Sequence, residues 1–154
     1  MVLSYVTSPS DAVAVINVLA WTLTLPVLKF ALPLPTLVRL VCFQAPSGRE
    51  SRARANQIIT LIDRLYRVGA LKRGGSCLER SLLAFRFLAR THPGSRLMIG
   101  AREINGHWLG HAWVTVDDRA ADESLVPPGA FCPIVAFDAS GMPQPLEGET
   151  CRIP

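Results

Sequence analysis

The apolar positions of this chain change their spacing once, near residue 93. Before that point they recur three and four residues apart, the period of a helix with one buried face. Residues 12–28, "AVAVINVLAWTLTLPVL", are apolar almost throughout; Ser8, Ser10 and Asp11 stand ready to cap a helix there, and Pro26 is expected to end it. "LPLPTLVRLVCF" has prolines at 33 and 35, then a short helical pattern through Leu37, Leu40 and Val41. After the polar break "QAPSGRES", "RARANQIITLIDRLYRV" puts Ile58, Ile59, Ile62, Leu65 and Tyr66 on one helical face. A further helix is expected from residue 77 to about residue 90, with Leu78, Leu82, Phe85 and Ala89 in a stripe and Cys77, Ser81, Ala84 and Leu88 beside it. Pro93 and Gly94 stop it.

Beyond "THPGS" the period shortens to two. "RLMIGAR" and "HAWVTV" read as short strands, and "DDR" as a hairpin turn leading into "AADES". "FCPIVAFDAS" adds a strand or an irregular crossing, and the proline-rich tail from Gly141 to Pro154 is expected to be loosely ordered. Helices first and an antiparallel sheet after them make an α+β layout. The expected organisation is one compact domain, with an N-terminal helical segment (1–48) packing on or docking a core (49–154).

Composition narrows this picture. The 154 residues are enough for one domain with a proper core, and 49% apolar against 18% charged residues argues against disorder. The formal net charge is +4, with the basic residues concentrated between Arg39 and Arg102; a solvated face is the favoured reading for most of them, including Arg64, Arg67, Lys72 and Arg73, with docking of an acidic peptide or protein as the alternative and Arg80 the residue singled out for it. Nucleic acid is not an expected partner. The four cysteines, Cys42, Cys77, Cys132 and Cys151, are not spaced as zinc ligands, and no metal or cofactor is expected. No basic region precedes the first apolar run, so a cytoplasmic location with reduced thiols is the default. That run has 17 uncharged residues, the short limit for a membrane span. A buried or interface helix is the favoured reading, with membrane-surface association and then a true span as the alternatives.

One cysteine stands apart. In "GGSCLERSLLAF", Ser76 and Glu79 fit an S-x-x-E capping box, which makes Cys77 the first helical residue. The unpaired amides and the positive end of the dipole converge there and favour an anion. They can also serve an oxyanion. A cysteine nucleophile needs a base. Of the three histidines, His92 lies in a breaker and is expected to be exposed, and His107 and His111 flank "WLG". His111 opens a strand on which Trp113 shares its face. An acid must fix the imidazole. A two-residue turn at Asp117-Asp118 would put Asp122 diagonal to His111; a three-residue turn would put Glu123 there; Asp138 is a third candidate.

The helix-borne "CLERSLLAFRFL", then "LMIGAR", then "HAWVTVDDR" resembles the lasso-peptide maturation proteases, transglutaminase-like and papain-like cysteine peptidases that remove the leader of a lasso-peptide precursor. The likeness covers roughly residues 60–138. It implies Cys77 as nucleophile and His111 as base, with an acid about twelve residues further on, at Glu123, next to Asp122. Thr115 stands where members of the family often carry Glu, and Arg80 matches their "CLxR". Arg80 and Trp113 become candidates for docking substrate or partner, Arg80 with a nearby carboxylate, Glu79 or a turn as its own partner. The resemblance further implies a precursor peptide as substrate, a separate leader-recognition protein, and an ATP-dependent macrolactam synthetase acting alongside. Two other functions fit the same residues: acyl transfer to an amine by a transglutaminase-like enzyme, and a non-catalytic scaffold of a peptide-maturation complex.

Overall fold

The structure is a computed structural model and describes residues 9–43, 52–67, 76–121 and 131–146. Four helices come first: α1 (Pro9–Ala31), α2 (Leu34–Phe43), α3 (Arg52–Arg67) and α4 (Ser76–Thr91). The strands β1 (Ser95–Ile104), β2 (His107–Val116), β3 (Arg119–Ala120), β4 (Cys132–Phe137) and β5 (Pro143–Gln144) follow and form one antiparallel sheet in the order β3-β2-β1-β4-β5. Helices precede sheet, as the change of period predicts.

α4 is the central element. The sequence reads it as a helix with one apolar stripe, yet Leu82, Leu83, Phe85, Arg86, Phe87 and Leu88 are all buried. The three other helices lie on some of its sides and β1 and β2 on another. A helix covered on most sides needs little polar face, and its one fully buried charge is accounted for. Arg86 donates to the Val41 carbonyl of α2 at 2.6 Å and to Asn17 Oδ1 of α1 at 3.3 Å, and lies over the Trp21 ring. Burial pulls its guanidinium down to about 10, with the Arg90 charge adding and Cys42 opposing.

α1 runs through Pro26 to Ala31, against the expectation that the proline ends it. The ring removes one N–H from the ladder, but the helix is held before it by Val18, Trp21 and Leu25 in the core and after it by Leu28 packed against them. Its opposite face leaves Ile16, Leu23, Val27 and Phe30 exposed, Phe30 at 85%. By length and composition alone, Asp11–Ala31 passes as a membrane span.

Both long strands exceed the sequence reading because a turn was missed. Asn105 and Gly106, at φ 53° and 77°, join β1 to β2 directly. That is the two-residue turn whose twist matches paired strands. The expected hairpin after β2 is present, with Asp117 and Asp118 both at positive φ and Val116 opposite Arg119. Part of the tail is ordered too: β5 pairs with β4 across a turn organised by Asp138. His92, expected to be exposed, is buried at the end of α4, where its carbonyl accepts from Ser95 N.

Candidate functional site

Along β2, Ala112 and Val114 are buried toward the helices, and alternation sends His111 and Trp113 to the other face. Opposite His111 in β1 is Gly100, and opposite Trp113 is Met98. Gly100 is required there: a Cβ would collide with the Cys132 carbonyl oxygen and with Cη2 of Trp113. The indole lies against this gap, its ring 6.2 Å from that of His111. Phe131, immediately before β4, stacks on His111 at 4.8 Å and an interplanar angle of 25°. The imidazole packs beside both aromatic rings, and because Phe131 and Trp113 are themselves 6.5 Å apart they lie toward the same side of it and restrict its orientation.

Cys77 is in the first turn of α4 and is a free, half-buried thiol. One turn further on, Ser81 Oγ donates to the Ala112 carbonyl at 2.7 Å, in a buried bond. α4 and β2 run in the same direction, since β1 turns back after Gly94 and β2 turns back again; Asp117 N reaches the Gly94 carbonyl at the far end. Four residues of helix advance about 6 Å, which matches about two residues of strand. By that count Cys77, one turn before Ser81, is level with about Gly110 along the strand direction. The Ser81 bond fixes the position of α4 along β2.

Arg80 does not pair with Glu79. It donates to Asp63 of α3 at 3.0 Å, part-buried. Glu79, the supposed cap partner of Ser76, is buried, with its Oε1 2.6 Å from Lys29 Nζ of α1. This pair ties the first turn of α4 to α1. The Ser76 side chain lies outside the described residues, as do Arg67's side chain, Lys72 and Arg73. Beside Arg80, Asp63, Ser81 and Trp113 is a small cavity of about 30 Å³ with mainly apolar walls. Trp113 and Val114 point to opposite faces of the sheet and both reach it, so it lies at the edge of β2.

Both expected acids, Asp122 and Glu123, lie outside the described residues. The turn before them has two residues, the length for which the sequence reading selects Asp122. Asp138 is committed elsewhere. Burial raises its carboxyl, but donors from Ser140, Met142 and Gln144 outweigh that and hold it below its usual range.

The other two described cysteines differ from Cys77. Cys42 is a free thiol pushed up to about 11, by burial first and by the Asp138 charge second, with Arg86 opposing. It stays protonated near neutral pH and is a poor nucleophile. Cys132 is disulfide-bonded, contrary to the expectation of reduced thiols.

Sequence reasoning missed Gly100, Arg102 and Phe131. The first two were within reach: a two-residue turn at Asn105-Gly106 sets Gly100 opposite His111 and Arg102 diagonal to it. Phe131 carries no such signal, because its place depends on how β4 returns to β1.

No curated protein and no solved structure matches the chain. The family model described as the Transglutaminase-like superfamily matches residues 18–136, from within α1 to within β4. With helices before an antiparallel sheet, a cysteine at the start of the central helix and a histidine on the second strand, this chain belongs to the transglutaminase-like superfamily.

Proposed function

We propose that the protein is a cysteine peptidase that removes the leader from a lasso-peptide precursor. The superfamily includes cysteine proteases and acyltransferases and is generally catalytic through a cysteine-based triad. The observation that supports the reading is the Ser81–Ala112 bond, which joins the helix whose first turn holds Cys77 to the strand that bears His111. The finer assignment to leader removal rests on the "CLERSLLAFRFL", "LMIGAR" and "HAWVTV" resemblance.

In this reading the Cys77 thiolate attacks the carbonyl carbon of the scissile amide, and backbone amides at the start of α4 receive the oxyanion. The C–N bond breaks as the His111 imidazolium gives its proton to the departing amine, leaving a thioester. Water then attacks that thioester, His111 takes its proton, and the leader departs as a carboxylate while the thiol is restored. The acid in this reading is Asp122 or Glu123, with Asp122 favoured by the two-residue turn before it. Phe131 and Trp113 restrict the orientation of the ring. A separate leader-recognition protein presents the precursor, and an ATP-dependent macrolactam synthetase closes the freed core.

The test is incubation with a candidate precursor, with and without the recognition protein, followed by mass measurement. Cleavage to leader and core is expected, and its loss in Cys77→Ala and in His111→Ala with the fold retained by circular dichroism. Full cleavage by Cys77→Ala sinks the proposal. A cross-linked product in place of a hydrolysed one replaces it with acyl transfer.

A further inference from the structure

The sheet face that carries His111 also carries a cation that the proposed chemistry does not use. Arg102 lies on β1 two residues past Gly100, diagonal to His111 on the same face. Its guanidinium sits over the Phe131 ring, 4.9 Å from the centroid, and the same ring stacks on His111. Two nearby arginines are paired, Arg80 with Asp63 and Arg96 with Asp118. Among the described residues no carboxylate pairs with Arg102, and its Nε is buried without a hydrogen-bond partner. A guanidinium offers a planar fork of donors suited to a carboxylate. Stacking on Phe131 orients that plane in advance, so little freedom is lost when an anion docks.

The order across the sheet assigns a side. Cys77 is on α4, which meets β2 through the Ser81–Ala112 bond; His111 is on β2, and Arg102 is on β1, the neighbour of β2 on the side away from β3. The group that receives the His111 proton is the departing amine, so the segment it heads runs past His111, away from the thiol and toward Arg102.

We infer that Arg102 is a specificity-determining residue that binds a substrate carboxylate, an acidic side chain on the leaving-amine side of the scissile bond. The side depends on the cysteine-peptidase reading; the carboxylate site itself does not.

The test separates the two. Cys77→Ala protein, which cannot turn over, is titrated with two pools of fluorescein-labelled dodecapeptides, alike except that one carries Glu wherever the other carries Gln. The acidic pool is expected to bind about tenfold tighter at low salt. Arg102→Gln brings the pools to near parity, and Arg102→Lys, which keeps the charge and loses the fork, retains part of the preference. Equal binding of the two pools by the parent, or a preference undiminished in Arg102→Gln, overturns the inference. If Arg102→Gln fails to fold by circular dichroism, Arg102→Lys decides: a full preference in that variant overturns the forked site. Cleavage of the same pools by the intact protein is scored separately. Acidic residues enriched after the cut support the assigned side, and enrichment before the cut overturns it. Absence of Cys77-dependent cleavage removes the peptidase reading and leaves the binding result standing by itself.

Discussion

A methyl group at position 100 would meet the Cys132 carbonyl oxygen and, at 2.9 Å, the edge of the Trp113 ring. The carbonyl belongs to a paired strand and cannot move aside as a side chain can, so the indole must swing or the strands must part. Gly100→Ala is therefore expected to destabilise by about 2 kcal/mol. It is also expected to lower turnover, because the same indole flanks His111. Denaturant unfolding and a cleavage assay check the two effects; an unchanged unfolding midpoint refutes the packing argument. At this scale the sequence was informative where chemistry follows from local position. Cys77 in a helical first turn and His111 on a strand were both legible. The Arg80 partner was not, since Asp63 is 17 residues away on another helix.

Two side chains hold whole elements in place. Ser81 joins α4 to β2 through a single buried hydrogen bond, and Ser81→Ala leaves the Ala112 carbonyl without it. A loss of about 1–2 kcal/mol is expected. If the brace sets the height of Cys77 against His111, turnover falls more than substrate affinity, read as kcat against KM; a change confined to KM counts against it. Asp138 does the same for the β4–β5 turn, accepting from Ser140 N at 2.9 Å, Met142 N at 3.0 Å and Gln144 Nε2 at 2.6 Å. Its carboxyl is held below the usual range, so its stabilisation is fully present above the unfolded carboxylate pKa of about 4. It is lost as pH falls through the lower folded value. Asp138→Asn is expected to cost about 1 kcal/mol at neutral pH and to flatten the acid limb of the stability curve. An acid limb identical to the parent's goes against this role. Element boundaries were the weaker part of the sequence reading: Pro26 did not stop α1, and the Asn105-Gly106 turn fused two short runs into a long hairpin.

Across the molecule, Arg86 is the tie between the central helix and both N-terminal helices. Arg86→Leu strands the Val41 carbonyl and Asn17 in the core. A loss of roughly 3 kcal/mol is expected, seen as a lower thermal midpoint with helical content retained at low temperature. A neutral result would mean that the aliphatic replacement fills the space as well as the cation does. The apolar 12–28 run shows why whole-molecule questions escape hydropathy. One face of α1 enters the core through Val18, Trp21 and Leu25 while the other faces outward with Leu23, Val27 and Phe30, and both are equally apolar in sequence.

What the sequence determined by itself was the order of helices and strands, a cysteine at a helix start and a histidine on a strand. Periodicity, capping and strand alternation are properties of near neighbours along the chain, and these assignments needed nothing more. Only the tertiary structure decided that His92 is buried, that Glu79 serves Lys29, that Phe131 covers His111 and that Arg102 lies over the same ring. Each of these depends on which distant segments the core brings together, and that is set by packing between elements, on which the local pattern of any one element is silent.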